Sequence, residues 1–176
     1  MSVFLLSIRD SNVDGFLEGG KRWEFHATPR FGIGTDYSLV SGDTVFMVGH
    51  SESAIHSAKI RSMGVVRSIL RGAEFKKAFS DLGSELWGES GWHEDCGKSK
   101  NEYQERILSS YTVAVKFAPY RIDPAIPVTE IRHRVTDRPW KGIGFVPASS
   151  LKRYGIKGEE VASFFSRVAE RLLTNC

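Results

Sequence analysis

Lysine, glutamate and histidine side chains crowd into GGKRWEFHATPR, the stretch from Gly19 to Arg30. Lys21, Glu24 and His26 offer a fixed cation, an acceptor-only carboxylate and an imidazole that titrates near neutral pH. Two kinds of chemistry use such a set. In the first, Glu24 and His26 line a pocket where the carboxylate accepts hydrogen bonds from the amino and imino groups of a nucleobase, Lys21 at its rim holds a phosphate, and Arg30 is a further nucleic-acid-binding candidate. In the second, Lys21, Glu24 and His26 act as acid and base in a hydrolytic reaction. Alternate residues of a strand share a face, so Arg22, Glu24 and His26 are expected to point one way and Trp23 and Phe25 the other. A solvated edge strand, with its charges paired to Arg9 or Arg61, is the plainer alternative.

Further candidates lie outside this stretch. Trp23 is either a core residue or a platform on which a base stacks. Trp140 sits in DRPWKGIGF, a Pro/Gly loop, where a ring can stack on a base for about 1–3 kcal/mol or pack the loop itself. Trp87 and Trp92 flank a Gly/Ser-rich segment and offer a second aromatic wall. Ser51 and Ser53 in GHSESAIHS either donate into a pocket or cap turns. Arg132, His133, Arg134, Arg138 and Lys141 form the densest basic stretch. Phosphate contacts from Arg132, Arg134 and Lys141 are the functional reading, and solvated surface is the other. His93 and Cys96 lack a second pair of ligands at a suitable spacing, so no metal is assigned. Gly32 and Gly34 are followed by neither a P-loop lysine nor a helix start, and no cofactor is assigned either.

These side chains need elements to position them. VFLLSI, from Val3 to Ile8, is a continuous apolar run suited to a strand buried on both faces. Ser11 and Asp14 form a capping signal, Val13, Phe16 and Leu17 a helical stripe, and Gly19-Gly20 a stop. Strands are expected at about 3–8, 22–26, 44–49, 58–69 and 111–121, with a long loop from Ala27 to Ser41 and a bulge at Gly64. Phe75, Ala78, Phe79 and Leu82 fit one helical face. Ser99 and Glu102 cap a short helix carrying Tyr103 and Ile107. Pro119, Pro124, Pro127, Pro139 and Pro147 are expected to break the chain into turns. A last helix, about 157–173, carries Val161, Phe164, Phe165, Val168 and Leu172 on one stripe. Glu159 and Glu160 at its start and Arg167 and Arg171 near its end suit its dipole. No repeat or linker divides the chain, so residues 1–176 are expected to form one α+β domain.

The chain's 176 residues suffice to bury a core, and a net charge of +3 with a pI near 8.9 permits an anionic partner without requiring one. Cys96 and Cys176 make no disulfide framework. The apolar start is too short for a signal-peptide core or a membrane span, which leads to the expectation of a cytoplasmic protein with no membrane partner.

LLSIRDSNVDGFLEGGKRWEFH followed by SGDTVFMVGHS resembles the ASCH-type branch of the PUA-like superfamily, which includes relatives of the EVE and YTH domains. The pattern is a Ser-Ile-Lys/Arg strand, a short helix, Gly-x-Lys-x-x-Glu-Phe-Arg, then Gly-Asp and a strand ending in a small polar cluster. ELWGES, GKSKNEYQERI and YTVAVKFAPYRIDPAIPVTEIR are similar to the continuation in longer members, so the resemblance covers roughly residues 3–146. It implies a small, highly curved β-barrel with covering helices. It also implies binding of RNA or DNA, single-stranded or with a flipped base, and in some members recognition of a modified base. Other members are hydrolases of nucleosides or RNA. Two positions depart from the pattern: His26 stands where the family has arginine, and Glu24 stands where the hydrolases carry a nucleophilic threonine. The reading that follows is a non-catalytic nucleic-acid-binding module that reads a modified or extruded base. The alternatives are a hydrolase and an interaction domain that keeps the barrel without its ligand.

Overall fold

Two extra residues in one long strand help give this protein's sheet its curl. A computed structural model describes residues 1–26, 39–51, 54–81, 113–129, 131–140, 144–153 and 160–175, with Glu102, Glu105 and Ser109; at 26, 51 and 54–57 it describes the backbone. The strands are β1 (Val3–Arg9), β2 (Trp23–His26), β3 (Thr44–Ser51), β4 (Ala54–Arg71), β5 (Val113–Pro127), β6 (Ile131–His133), β7 (Phe145–Pro147) and β8 (Leu151–Arg153). The helices are α1 (Asp10–Leu17), α2 (Gly72–Asp81) and α3 (Val161–Thr174). Six strands form one curled half-barrel sheet in the order β2-β5-β4-β3-β1-β7, while β6 and β8 pair separately. β1 and β3 run parallel; the other neighbours are antiparallel. Arg61 is an extra residue of β4 against β3, and Arg67 another against β5. Each bulge sharpens the local twist and bends the strand.

β1 opens on an unbroken apolar run, Val3 to Leu6, because the sheet is covered on both faces there. Val3 and Leu5 join one cluster, whereas Phe4, Leu6 and Ile8 join another. The second cluster is the concave interior. Phe117 of β5 and Phe145 of β7 belong to strands with three others between them, yet their rings lie 6.2 Å apart. Helix α1 plugs this interior with Val13 and Phe16, and Phe16 meets Phe117 edge-on at 5.6 Å. On the convex face α3 lays Phe165 against Phe46 at 4.4 Å. α2 covers Trp23 and Phe25 with Phe75 and Phe79.

Several expectations from the sequence need correction. Asp10 already opens α1 and Arg9 gives no side-chain cap, so Ser11 lies inside the helix and Asp14 serves Arg61 instead. Pro119, Pro124 and Pro127 lie inside β5 rather than ending it. β2 pairs only with Val113 to Lys116, so the rest of β5 is an edge on that side, where proline is tolerated. Gly64 is no bulge: it pairs regularly with Val45 and Pro119. A Cβ there would lie 2.8 Å from the Phe117 ring and 2.9 Å from the Met47 methyl, so the position is bare to let those side chains fill the interior. The last helix begins at Val161, inside its expected span, with no side-chain cap from Glu160. Glu102, Glu105 and Ser109 are helical and exposed, while Ser99, Tyr103 and Ile107 fall outside the described residues.

The Gly-Asp pair has a structural task. Gly42 takes a φ of 91°, open to glycine at little cost. Behind it the buried Asp43 carboxylate accepts hydrogen bonds from Ser2 N at 2.7 Å and Val40 N at 3.0 Å. The Asp43 carbonyl accepts from Val66 N at 2.8 Å, so one residue ties the starts of β1 and β3 to the middle of β4.

Candidate functional site

Helix α1 runs into β2 through a turn built on Gly19, whose φ of 83° ends the helix in the left-handed conformation that glycine accepts. The chain then doubles back along α1, and Lys21 N donates to Gly15 O at 2.9 Å. A Cβ on Gly15 would stand 3.3 Å from Lys21 Cβ, so the bare glycine is what admits the lysine stem. The ammonium lies over the Phe16 ring at 5.5 Å and meets the Glu24 carboxylate at 3.1 Å. Both side chains are nearly enclosed, at 5% and 11% exposure. Lys21 is therefore no rim residue; it is as deep as its partner.

Glu24 pairs across the ladder with Val115, a residue of the concave cluster, whereas Trp23 and Phe25 pack on the opposite face under α2. The alternation expected from the sequence is present. Trp23, at 6% exposure, occupies the core alternative and takes Lys116 Nζ over its ring at 5.4 Å. Arg22 is exposed, immediately before the strand. The His26 backbone pairs with Val113. Ser51 ends β3, with only its backbone described, and Arg30, Ser53 and Lys141 lie outside the described residues, as do Trp87, Trp92, His93 and Cys96. Among the described residues no cluster of three or more His, Cys, Asp or Glu could hold a metal ion.

The basic stretch is not gathered with this pair. Ile131 of β6 packs in the convex cluster, on the other side of the sheet. Arg132 donates to the Asp137 carbonyl at 3.0 Å. Arg134 meets Glu160 at 3.0 Å and so joins this strand to the start of α3. Lys152 bonds Asp137 at 2.9 Å and holds its carboxyl below the ordinary value. Trp140 is half-buried against the convex cluster, with its indole N–H enclosed and without a hydrogen-bond partner among the described residues.

Arg61 is a residue that sequence reasoning undervalued. Its guanidinium meets Asp14 at 2.8 Å and Asp10 at 3.1 Å, bracketing one turn of α1. The hydrogen bond to Asp14, and behind it the one to Asp10, raises its pKa against the opposing effect of burial. Ser62 beside it is fully buried, its hydroxyl without a partner among the described residues. Neither could be placed from sequence, because both depend on the bulge.

No protein-family model matches the chain, and no curated protein matches it significantly. Among solved structures it is similar to a serine-to-alanine mutant of ZmASCH from Zymomonas mobilis, with 13% identity and a TM-score of 0.51 over 94% of this chain and 96% of that one. It is likewise similar to ASCH from Zymomonas mobilis, with 14% identity and a TM-score of 0.50 over 94% of each chain. The shared feature is the fold, an α+β curled sheet with covering helices and a C-terminal helix.

Proposed function

We propose that this protein is a nucleic-acid-binding module that takes an unpaired or extruded base at the Lys21–Glu24 end of its concave face. The observation carrying this reading is the enclosed ion pair at the tip of an edge strand. Burying two charges costs several kcal/mol per ion, roughly, and a hydrophobic pair of similar size is often as stable. A site that instead keeps an ammonium donor and a carboxylate acceptor side by side has the complement of a base edge. Trp23 and Phe25, locked under α2, hold that edge rigidly. The mild positive charge and the fold shared with ASCH structures support the same reading.

Fluorescence anisotropy with short single-stranded oligonucleotides tests it, modified and unmodified bases being compared. Affinity should fall as salt rises, because phosphate contacts release counterions. The double variant Lys21→Met/Glu24→Gln should lose base preference and keep most of its salt-dependent affinity, since phosphate contacts survive it. Arg22→Gln, next to the pair, should lower the salt slope by about one. Salt-independent binding, or base preference unchanged in the double variant, would sink the proposal.

A hydrolase is the second reading, favoured by one observation: an ammonium and a carboxylate 3.1 Å apart can exchange a proton. Position 24 carries that carboxylate in place of a hydroxyl nucleophile. No product is therefore expected when acylated or methylated nucleosides are incubated with the protein and followed by chromatography. Turnover that vanishes in Lys21→Met would transfer the assignment to the hydrolase.

A further inference from the structure

We infer that Arg61 is a positioning residue for the Lys21–Glu24 pair, acting on it through helix α1. The relevance of this to ligand binding rests on the base-binding reading above; the geometry itself does not. β4 breaks its pairing with β3 to carry Arg61 as an extra residue, and the side chain so freed reaches across to the helix. Bulges of this kind re-aim side chains at the expense of ladder bonds. Here the reward is two carboxylates one turn apart, Asp10 and Asp14, gripped by a single planar guanidinium.

α1 depends on such a grip. It has eight residues, no side-chain N-cap bond and no basic residue in its last turn. A helix that short has little stability of its own and takes its orientation from tertiary contacts. Val13 and Phe16 anchor one side, and Gly49 of β3 leaves room for the Asp10 carboxylate, which an added Cβ would meet. Arg61 adds a polar clamp on Asp10 and Asp14 to this apolar anchor.

That clamp matters because the helix carries the surroundings of Lys21. Asp14, gripped through its side chain, accepts the Glu18 N–H at 2.8 Å through its carbonyl and so closes the last turn. Gly15 accepts the Lys21 N–H, and Phe16 lies beneath its ammonium. Turning α1 moves all three. Arg61 thus governs, without touching Lys21, whether the ammonium meets Glu24.

The test reads Lys21 directly and needs no ligand. The folded protein is treated with an amine-acylating reagent and labelling is mapped by mass spectrometry, with the exposed Lys77 as internal reference. Arg61→Met should raise the labelling rate of Lys21 relative to Lys77 about tenfold, by favouring local opening around α1. Asp10→Asn/Asp14→Asn, which alters only half-exposed side chains, should do the same. Arg61→Lys should restore part of the protection. Hydrogen exchange in β3, β4 and β5 should stay as in the parent. Two results would overturn the inference: Lys21 staying protected in both variants, or its exposure rising only together with faster exchange throughout those strands. Loss of the base-binding reading would appear as absent oligonucleotide binding with the labelling response intact.

Discussion

Lys21→Met should destabilise the fold by about 3–5 kcal/mol, because it takes from the enclosed Glu24 carboxylate the ammonium that lies 3.1 Å away. Urea denaturation followed by tryptophan fluorescence measures this directly. The companion change Glu24→Gln, added to the same chain, should return most of the loss, since it removes the charge that had lost that ammonium. Glu24→Gln alone should be costly for the converse reason. The cycle separates stability from recognition: the double variant should be nearly as stable as the parent yet unable to distinguish bases. Two single variants that each cost under about 1 kcal/mol, as exposed ion pairs do, would show that water reaches the pair freely.

Gly64→Val carries the next largest effect, a loss of about 3 kcal/mol from overpacking. The methyl end of Met47 can swing aside, but the Phe117 ring is braced between Phe16 and Phe145 and has nowhere to go. Gly20→Ala provides the contrast. Nothing lies within 4 Å of the added methyl and the backbone there is not left-handed, so stability should hold or rise slightly. Thermal unfolding of the two variants side by side checks both. Equal midpoints would mean that the interior yields at Gly64 and is not close-packed there.

Much of this architecture was legible from sequence, and the reasons for the gaps are specific. The five longer strands announced themselves through uninterrupted or alternating apolar residues, and the end of α1 through Gly19-Gly20, whereas β6, β7 and β8, three residues each, are too short to show a pattern. Glu24 and Trp23 were assigned to opposite faces by alternation alone, as the structure has them. Lys21 was misjudged because its burial depends on Gly15, and no local pattern links those two positions. Arg61 entered only in the plainer alternative, as one of two arginines that could pair with the β2 charges; its partners, Asp10 and Asp14, follow from a register break that only strand pairing reveals. The basic stretch, left open between phosphate contact and solvated surface, shows a different limit. Asp137 adopts a φ of 55° in a tight turn, and its carbonyl and carboxylate engage Arg132 and Lys152. Charge density along a chain does not say which charges are already satisfied.

The parallel pairing of β1 with β3 has a consequence for the order of folding. Everything between them, the α1 helix and the β2 strand included, is a crossover connection, and β2 pairs not with either but with β5, far along the chain. Contacts of such long sequence separation incur their loop-closure entropy before they return anything. The docking of β2 on β5, which encloses the Lys21–Glu24 pair, is therefore expected late, and changes to the pair are expected to fall on the unfolding rate more than on the folding rate, as stopped-flow measurements of the two rates would test. Residues placed in a crossover can be exchanged while the pairing of β1, β3 and β4 is left alone.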